Sequence, residues 1–224
     1  MIAAALLPSA GPIAERPAEL LVLVAALALV PAALVTLTSF LKIAVVLSIA
    51  RSALGAPQVP PSTAITGLAL VLTVLVMAPV AEESLALARA APPGRGIAGT
   101  AAAVDRAMGP LRAFLGRHAR PDDRAAFLDV ARRLRPGAPP PGETELAVLA
   151  PAFVVSELRR AFTIGFLVFV PFLVVDLVVS NVLLALGLTQ LSPTSVALPF
   201  KLLLFVAVDG WKLLARALAL SYAG

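Results

Sequence analysis

An all-α fold is the expectation for this chain, and three observations carry it. Apolar residues run in four long stretches, without the alternation that marks strands. Hydrophobic residues make up 60% and charged residues 14% of the 224, against about 45–50% and about 25% in soluble domains, which excludes a water-soluble globule. Helix-starting and helix-stopping residues also punctuate a polar segment between the second and third stretches. The predicted architecture is four hydrophobic helical regions, some kinked or paired, with a small helical soluble segment between the second and third. It divides the chain into an N-terminal segment (1–19), the first and second hydrophobic helices (20–81), the soluble segment (82–145) and the third and fourth hydrophobic regions (146–224).

The first hydrophobic helix is expected over residues 20–41, 22 residues without a charge. At ~1.5 Å per residue that crosses a hydrocarbon core of ~30 Å. No basic region precedes it, so an uncleaved insertion signal is expected in place of a cleavable signal peptide. GAPQVPPS, at 55–62, reads as a turn, and a second helix should run from about Ser62 to Met77, with Pro79 helping to stop it. In the soluble segment Val104, Met108, Leu111 and Leu115 recur at helical spacing, and Gly109 and Pro110 should break or kink that stripe. Pro121, Asp122 and Asp123 open a further helix that ends on Arg132, Arg133 and Arg135, acids first and bases last as the helix dipole favours. Its expected apolar face is Phe127, Leu128, Ala131 and Leu134. A Pro/Gly linker over 135–143 closes the segment. The third stretch, 149–187, is too long for one straight span and contains Glu157, Arg159, Arg160, Pro171 and Asp176, so a kinked helix or a helix pair is expected. A short connection at 188–195 leads to the fourth region, 196–222, which carries Pro199, Lys201, Asp209 and Lys212.

Charge placement excludes several functions. Between Glu82 and Glu145 stand 18 of the 31 charged residues, ten of them Arg against eight acids, so neither this segment nor the remainder is strongly basic. With 5% aromatics and no clustered basic face, the pI of about 10.7 does not point to nucleic acid. Cysteine is absent and His118 is the one histidine, which removes thiolate chemistry and leaves no set for structural zinc. His118 sits among arginines and reads as a solvated surface residue, and Asp122 and Asp123 read as a helix start, not metal ligands. GRGIAG at 94–99 fits a dinucleotide-binding pattern literally, but no strand precedes it, and a flexible turn is the simpler reading. An intramembrane protease would need more than the intrahelical Asp176 and Asp209, and the two halves show no internal repeat of the kind transporters carry.

Charges inside apolar helices cost roughly 2.5–3.5 kcal/mol each at a bilayer centre, so such residues usually face protein or water. Asp176, Lys201 and Asp209 lie in this position, and Lys42 and Arg51 flank the first helix. Asp176 and Lys201 are either a gating or proton-linked pair or an interhelical salt bridge that fixes packing, the latter needing no transport chemistry. Asp209 with Lys212, and Glu157 with Arg160, are each spaced i, i+3 and read as local pairs. Four crossings would set residues 42–61 and 188–195 on one side, but the basic residues then fall on both faces, and the positive-inside rule does not orient the chain. Helices that end up against protein in an oligomer would resolve the conflict.

Several strings carry a resemblance: LTSFLKIAVVLSIARSALGAPQVPPSTAITG, SELRRAFTIGF, VPFLVVDLVVSNVLLALG and LSPTSVALPFKLLLFVAVDGW. In their order and spacing they closely resemble the R subunit of the type III secretion export apparatus, the SctR/YscR/FliP family. The resemblance covers nearly everything from Leu20 to Tyr222. It implies a non-enzymatic core subunit without cofactor, a pentamer built with the S and T subunits into a helical export-gate assembly. It further implies neighbours in the U and V subunits and the needle or inner-rod base, unfolded secreted substrates in transit, and an inner-membrane location with 82–145 periplasmic. Family members often carry a methionine-rich gasket loop between the third and fourth regions. Here the matching place holds Leu188, Thr189, Gln190 and Leu191, a stiffer and more polar set than thioethers would give. The short N-terminus and the ending ALSYAG are more similar to the injectisome branch than to its flagellar counterpart. Apart from the resemblance, a small membrane transporter or channel subunit is the competing class.

Overall fold

A computed structural model describes residues 17–56, 59–90, 96–137, 139 and 141–223. Its described residues form nine helices and no strand: α1 (Pro17–Thr36), α2 (Phe40–Ala53), α3 (Ser62–Ala90), α4 (Gly96–Ala107), α5 (Gly109–His118), α6 (Pro121–Leu134), α7 (Leu146–Ala185), α8 (Pro193–Ala207) and α9 (Gly210–Leu220). Residues 1–16, most of the expected N-terminal segment, lie outside the described residues.

The core forms where α2 lies along α7. Ile43, Val46, Leu47 and Ala50, spaced three or four apart, make one face of α2 that is sealed from solvent. Against it α7 brings Val148, Leu149, Ala152, Phe153 and Ala161, α3 adds Ile65 and Ala69, and α5 adds Phe114 and Leu115. Each large side chain buried here contributes about 1.5–3 kcal/mol relative to exposure. A Cβ on Gly165 would collide with Ile49, so glycine at that point of α7 is what lets α2 approach.

Two expectations about the hydrophobic helices need correction. The helix expected over 20–41 ends at Thr36, and the axes of Ala28–Thr36 and Phe40–Ala53 diverge by 65°. Hydroxyls at the break explain it. Thr36 Oγ1 donates to the Ala32 carbonyl at 2.7 Å, Thr38 Oγ1 to the Leu34 carbonyl at 2.5 Å, and the Phe40 N–H donates to Thr38 Oγ1 at 3.2 Å. Side chains thereby take over partners the backbone would otherwise use. Next, α3 does not stop near Pro79 but continues to Ala90, because AEESLALARA is rich in strong helix formers. Of the two alternatives for the third region, one helix is observed: α7 runs through 40 residues with Pro151 and Pro171 inside it. The fourth region is a paired one, two helices interrupted at Val208 and Asp209.

These changes bear on membrane crossing. Among the described residues only α3 and α7 are long and apolar enough to cross alone, or three segments if the bent α1–α2 pair counts as one span. Helix α8 has 15 residues, ~22 Å at ~1.5 Å per residue, short of a ~30 Å core. The four-crossing arrangement is therefore not what the helices support.

In the polar segment α4 and α5 part at Met108, where the Gly109–Pro110 signal lies, and α6 opens on Pro121. Of the apolar face expected for α6, Leu128 is buried and Phe127 half-buried, but Leu134 is exposed. Gly96 and Gly99 lie in α4, so this part of GRGIAG is helix and not turn, while Pro92, Pro93, Gly94 and Arg95 fall outside the described residues.

Candidate functional site

Three places gather the polar side chains. The first is a knot between α2, α5, α7 and the residues after α9. Lys42, one turn into α2, and Glu157, midway along the first half of α7, are both sealed from solvent and stand 3.3 Å apart, Nζ to Oε2. Arg160, one turn on from Glu157, donates to its Oε1 at 2.9 Å. Tyr222 closes the knot from the C-terminal side: its hydroxyl donates to Glu157 Oε2 and lies 3.5 Å from the Ser39 carbonyl. Lys42 Nζ rests 3.5 Å from the centroid of the Tyr222 ring, a cation–π contact, and Phe114 stacks near Tyr222 at 5.8 Å with 20° between the planes. The Glu157 carboxylate thus accepts from three donors, which is how a buried charge offsets its desolvation. Burial, with the Glu157 charge adding to it, pushes the Tyr222 phenol far above its ordinary range and keeps it a donor.

His118 belongs to this knot, against its expected place on the solvated surface. It is 5% exposed, 4.6 Å from the Phe114 ring and edge-on to Tyr222 at 5.0 Å. The arginines around it in sequence point elsewhere because α5 turns its apolar face, Phe114, Leu115 and His118, toward α7. Burial lowers the His118 pKa below its ordinary value, and the Lys42 and Arg160 charges act in the same direction while Glu157 opposes them.

Immediately before Glu157 on the chain, Ser156 joins α6 to α7. Its hydroxyl accepts the Arg120 N–H at 2.9 Å and donates to Asp123 Oδ2 at 2.6 Å, and Arg159 reaches Asp123 Oδ1 at 3.4 Å. Asp123 is therefore both a helix start and a buried docking group. Sequence reasoning missed this role; a lone serine inside an apolar helix was the available signal.

The second place is a clasp at the opposite end of α2. Lys201, on α8, is buried and puts Nζ 2.6 Å from Asp176 Oδ2 on α7 and 3.2 Å from the Ala53 carbonyl at the end of α2. An ammonium at a helix C-terminus meets the negative end of the dipole and an otherwise orphan carbonyl. Gly55, just past the end of α2, takes the left-handed conformation (φ 77°) that turns the chain beside Lys201. Asp209 is placed differently from the expectation of an intrahelical residue. It is the left-handed residue before α9 (φ 52°, ψ 49°), paired with Lys212 at 3.3 Å with both side chains in solvent.

The third place is the loop between α7 and α8. Gly187 (φ 71°) ends α7, with the Leu188 N–H donating to the Leu183 carbonyl and the Gly187 N–H to the Leu184 carbonyl, a Schellman closure. Leu188, Thr189, Gln190 and Leu191 are all exposed, and Leu188, Thr189 and Leu191 border a groove with Ser180, Leu183 and Leu184 of α7. Next to these satisfied charges runs a wide apolar face. Phe162, Phe166, Leu177, Leu203 and Val206 on α7 and α8 are 61–75% exposed.

Comparison with known proteins agrees in one direction. The profile described as FliP family matches residues 23–218. The chain is 44% identical to the hypersensitivity response secretion protein HrcR of Ralstonia nicotianae over 92% of this chain and 97% of that protein. It is 43% identical to Yop proteins translocation protein R of Yersinia pestis, over 92% and 96%. To the flagellar biosynthetic protein FliP of Pectobacterium carotovorum it is 44% identical, over 96% and 83%.

Proposed function

The chain belongs to the FliP family and is a core subunit of a type III secretion export apparatus; on that premise we propose that its copies form the wall and gate of a protein-conducting channel for unfolded substrates. The observation that carries the reading is the contrast between satisfied charges and unsatisfied apolar surface. Lys42, Glu157 and Lys201 find partners within the chain, whereas the α7 and α8 faces around Phe166, Leu177 and Leu203 find none among the described residues. Apolar area on that scale calls for lipid or further protein. Copies of this chain, as a pentamer, with the S and T subunits, would cover it, and the U and V subunits and the base of the needle would follow as neighbours. The protein sits in the bacterial inner membrane in this reading, with 82–145 on the periplasmic side, although residues 82–90 continue α3. The work is conformational, without cofactor, catalysis or nucleic acid. Leu188, Thr189, Gln190 and Leu191 narrow the channel, while Lys42, Glu157, Arg160, Asp176, Lys201 and Asp209 fix helix and subunit contacts.

In-frame deletion of the gene is the test. Loss of substrate secretion, restored by the intact gene, is expected; secretion that persists in the deletion strain overturns the proposal. The injectisome branch is supported by relatives matched over 95–97% of their length, and it requires that motility survive the same deletion.

A further inference from the structure

Helices α8 and α9 form an arm with a break between them, anchored at two polar points in addition to the apolar seating of Leu214 and Leu218 in the core and the contact of α9 with α3. The inner hold is the Lys201 clasp to Asp176 and the Ala53 carbonyl. The outer hold is Tyr222, just past the end of α9, whose hydroxyl donates to Glu157 and whose ring meets the Lys42 ammonium and the Phe114 ring. Between the holds the helix is interrupted. Asp209 takes the left-handed conformation that residues with a Cβ seldom adopt, and its partner Lys212 is in open solvent, where such a pair fixes little. Gly210 follows, its missing Cβ replaced by the Phe205 ring, which also meets Trp211 edge-on at 5.0 Å. Along α9 itself only Gly210, Leu214 and Leu218 are buried, while Lys212, Leu213, Arg216, Ala217 and Leu220 face outward.

We propose that Tyr222 is the positioning residue of a hinged arm: it latches α9 onto α2, α5 and α7, and residues 208–210 are the pivot about which α9 swings once the latch opens, α8 staying pinned by Lys201. The left-handed Asp209 allows such a pivot because a few degrees of freedom there redirect the whole of α9, as hinges at helix ends do. One side chain after α9 thereby reports to three helices at once, including α5 of the polar segment. The device stands on this geometry and does not depend on the export reading.

The chain has no cysteine, so introduced pairs label cleanly. Two spin-label pairs on the full chain, diluted into unlabelled chain in detergent, separate the motions by pulsed dipolar spectroscopy. One joins α9 to α6 (Leu213→Cys with Ala125→Cys); the other joins α8 to α3 (Leu203→Cys with Val74→Cys), all at exposed positions. Tyr222→Phe keeps the ring and removes only the hydroxyl, so it should fold; unchanged helicity and elution volume qualify it. The expected result is a displaced α9–α6 population about tenfold larger than in the parent, as loss of a hydrogen bond to a charged group implies. Tyr222→Ala should displace more, and the α8–α3 distance should hold in both. An α9–α6 distance unmoved by Tyr222→Phe, or an α8–α3 distance that moves with it, overturns the proposal.

Discussion

Lys42 on α2 and Glu157 on α7 are 115 positions apart in the chain, yet Nζ and Oε2 lie 3.3 Å from each other with neither side chain in contact with solvent. Removing one partner strands the other charge in a dry core. Glu157→Gln is therefore expected to destabilise the protein by about 3–5 kcal/mol. Replacing both, Lys42→Met with Glu157→Leu, should cost less than either single change, because no charge is then left in the dry interior and Arg160, 37% exposed at the side chain, can turn to solvent. Thermal unfolding of the purified chain in detergent gives the order.

The Lys201 clasp is asymmetric. Lys201 is 5% and Asp176 34% exposed at the side chain, so only the carboxylate can recruit water when left alone. Asp176→Asn should lower stability by about 2–3 kcal/mol and Lys201→Met by about 1 kcal/mol, the latter through the unpaired Ala53 carbonyl. Equal losses, or the reverse order in thermal melts, would show that the clasp opens to solvent.

Gly210 has no room for a side chain because the buried Phe205 ring fills it. Gly210→Ala is expected to cost about 1–3 kcal/mol, and Asp209→Val about 1–2 kcal/mol through its left-handed backbone. Chemical denaturation of the two variants beside the parent measures both.

Buried His118 favours the neutral imidazole when folded, so its folded pKa lies below the ordinary 6.5. The unfolded chain then binds the proton first. Its contribution to stability is complete above about pH 6.5 and is lost as pH falls through the folded value. Melting temperature should decline on acidification below about pH 6.5, and His118→Phe should flatten that decline. A parent protein with the same slope as the variant would remove His118 from the knot.

Leu188, Thr189, Gln190 and Leu191 stand exposed at a Schellman-closed helix end. If they narrow the channel, replacing the four by Gly and Ser raises ion leakage through the purified complex in planar bilayers. Conductance equal to the parent's assigns the constriction elsewhere.

Much of this was legible in the sequence, and the failures have physical causes. Apolar runs and punctuation gave helices, the turn after α2, the α4–α5 break and the start of α6. Proline misled at Pro79, since the helix formers that follow it carried α3 through to Ala90. Hydroxyls misled in the opposite sense: Thr36 and Thr38 ended a helix that composition alone would continue. The i, i+3 pairs needed only local spacing, whereas the Lys42–Glu157 contact, the Ser156–Asp123 dock and the burial of His118 arise from helices that meet across long separations. Tyr222 is the extreme case. Nothing near it in sequence signals that it completes a charge pair on two other helices.

The reading that apolar surface on α7 and α8 is covered by copies of the chain and by partner subunits comes down to mass. Native mass spectrometry of the detergent-solubilised complex, co-expressed with the S and T subunits, should give an assembly with five copies of this 23.0 kDa chain. A chain that leaves the membrane as a single copy, without partners and with secretion intact, contradicts it.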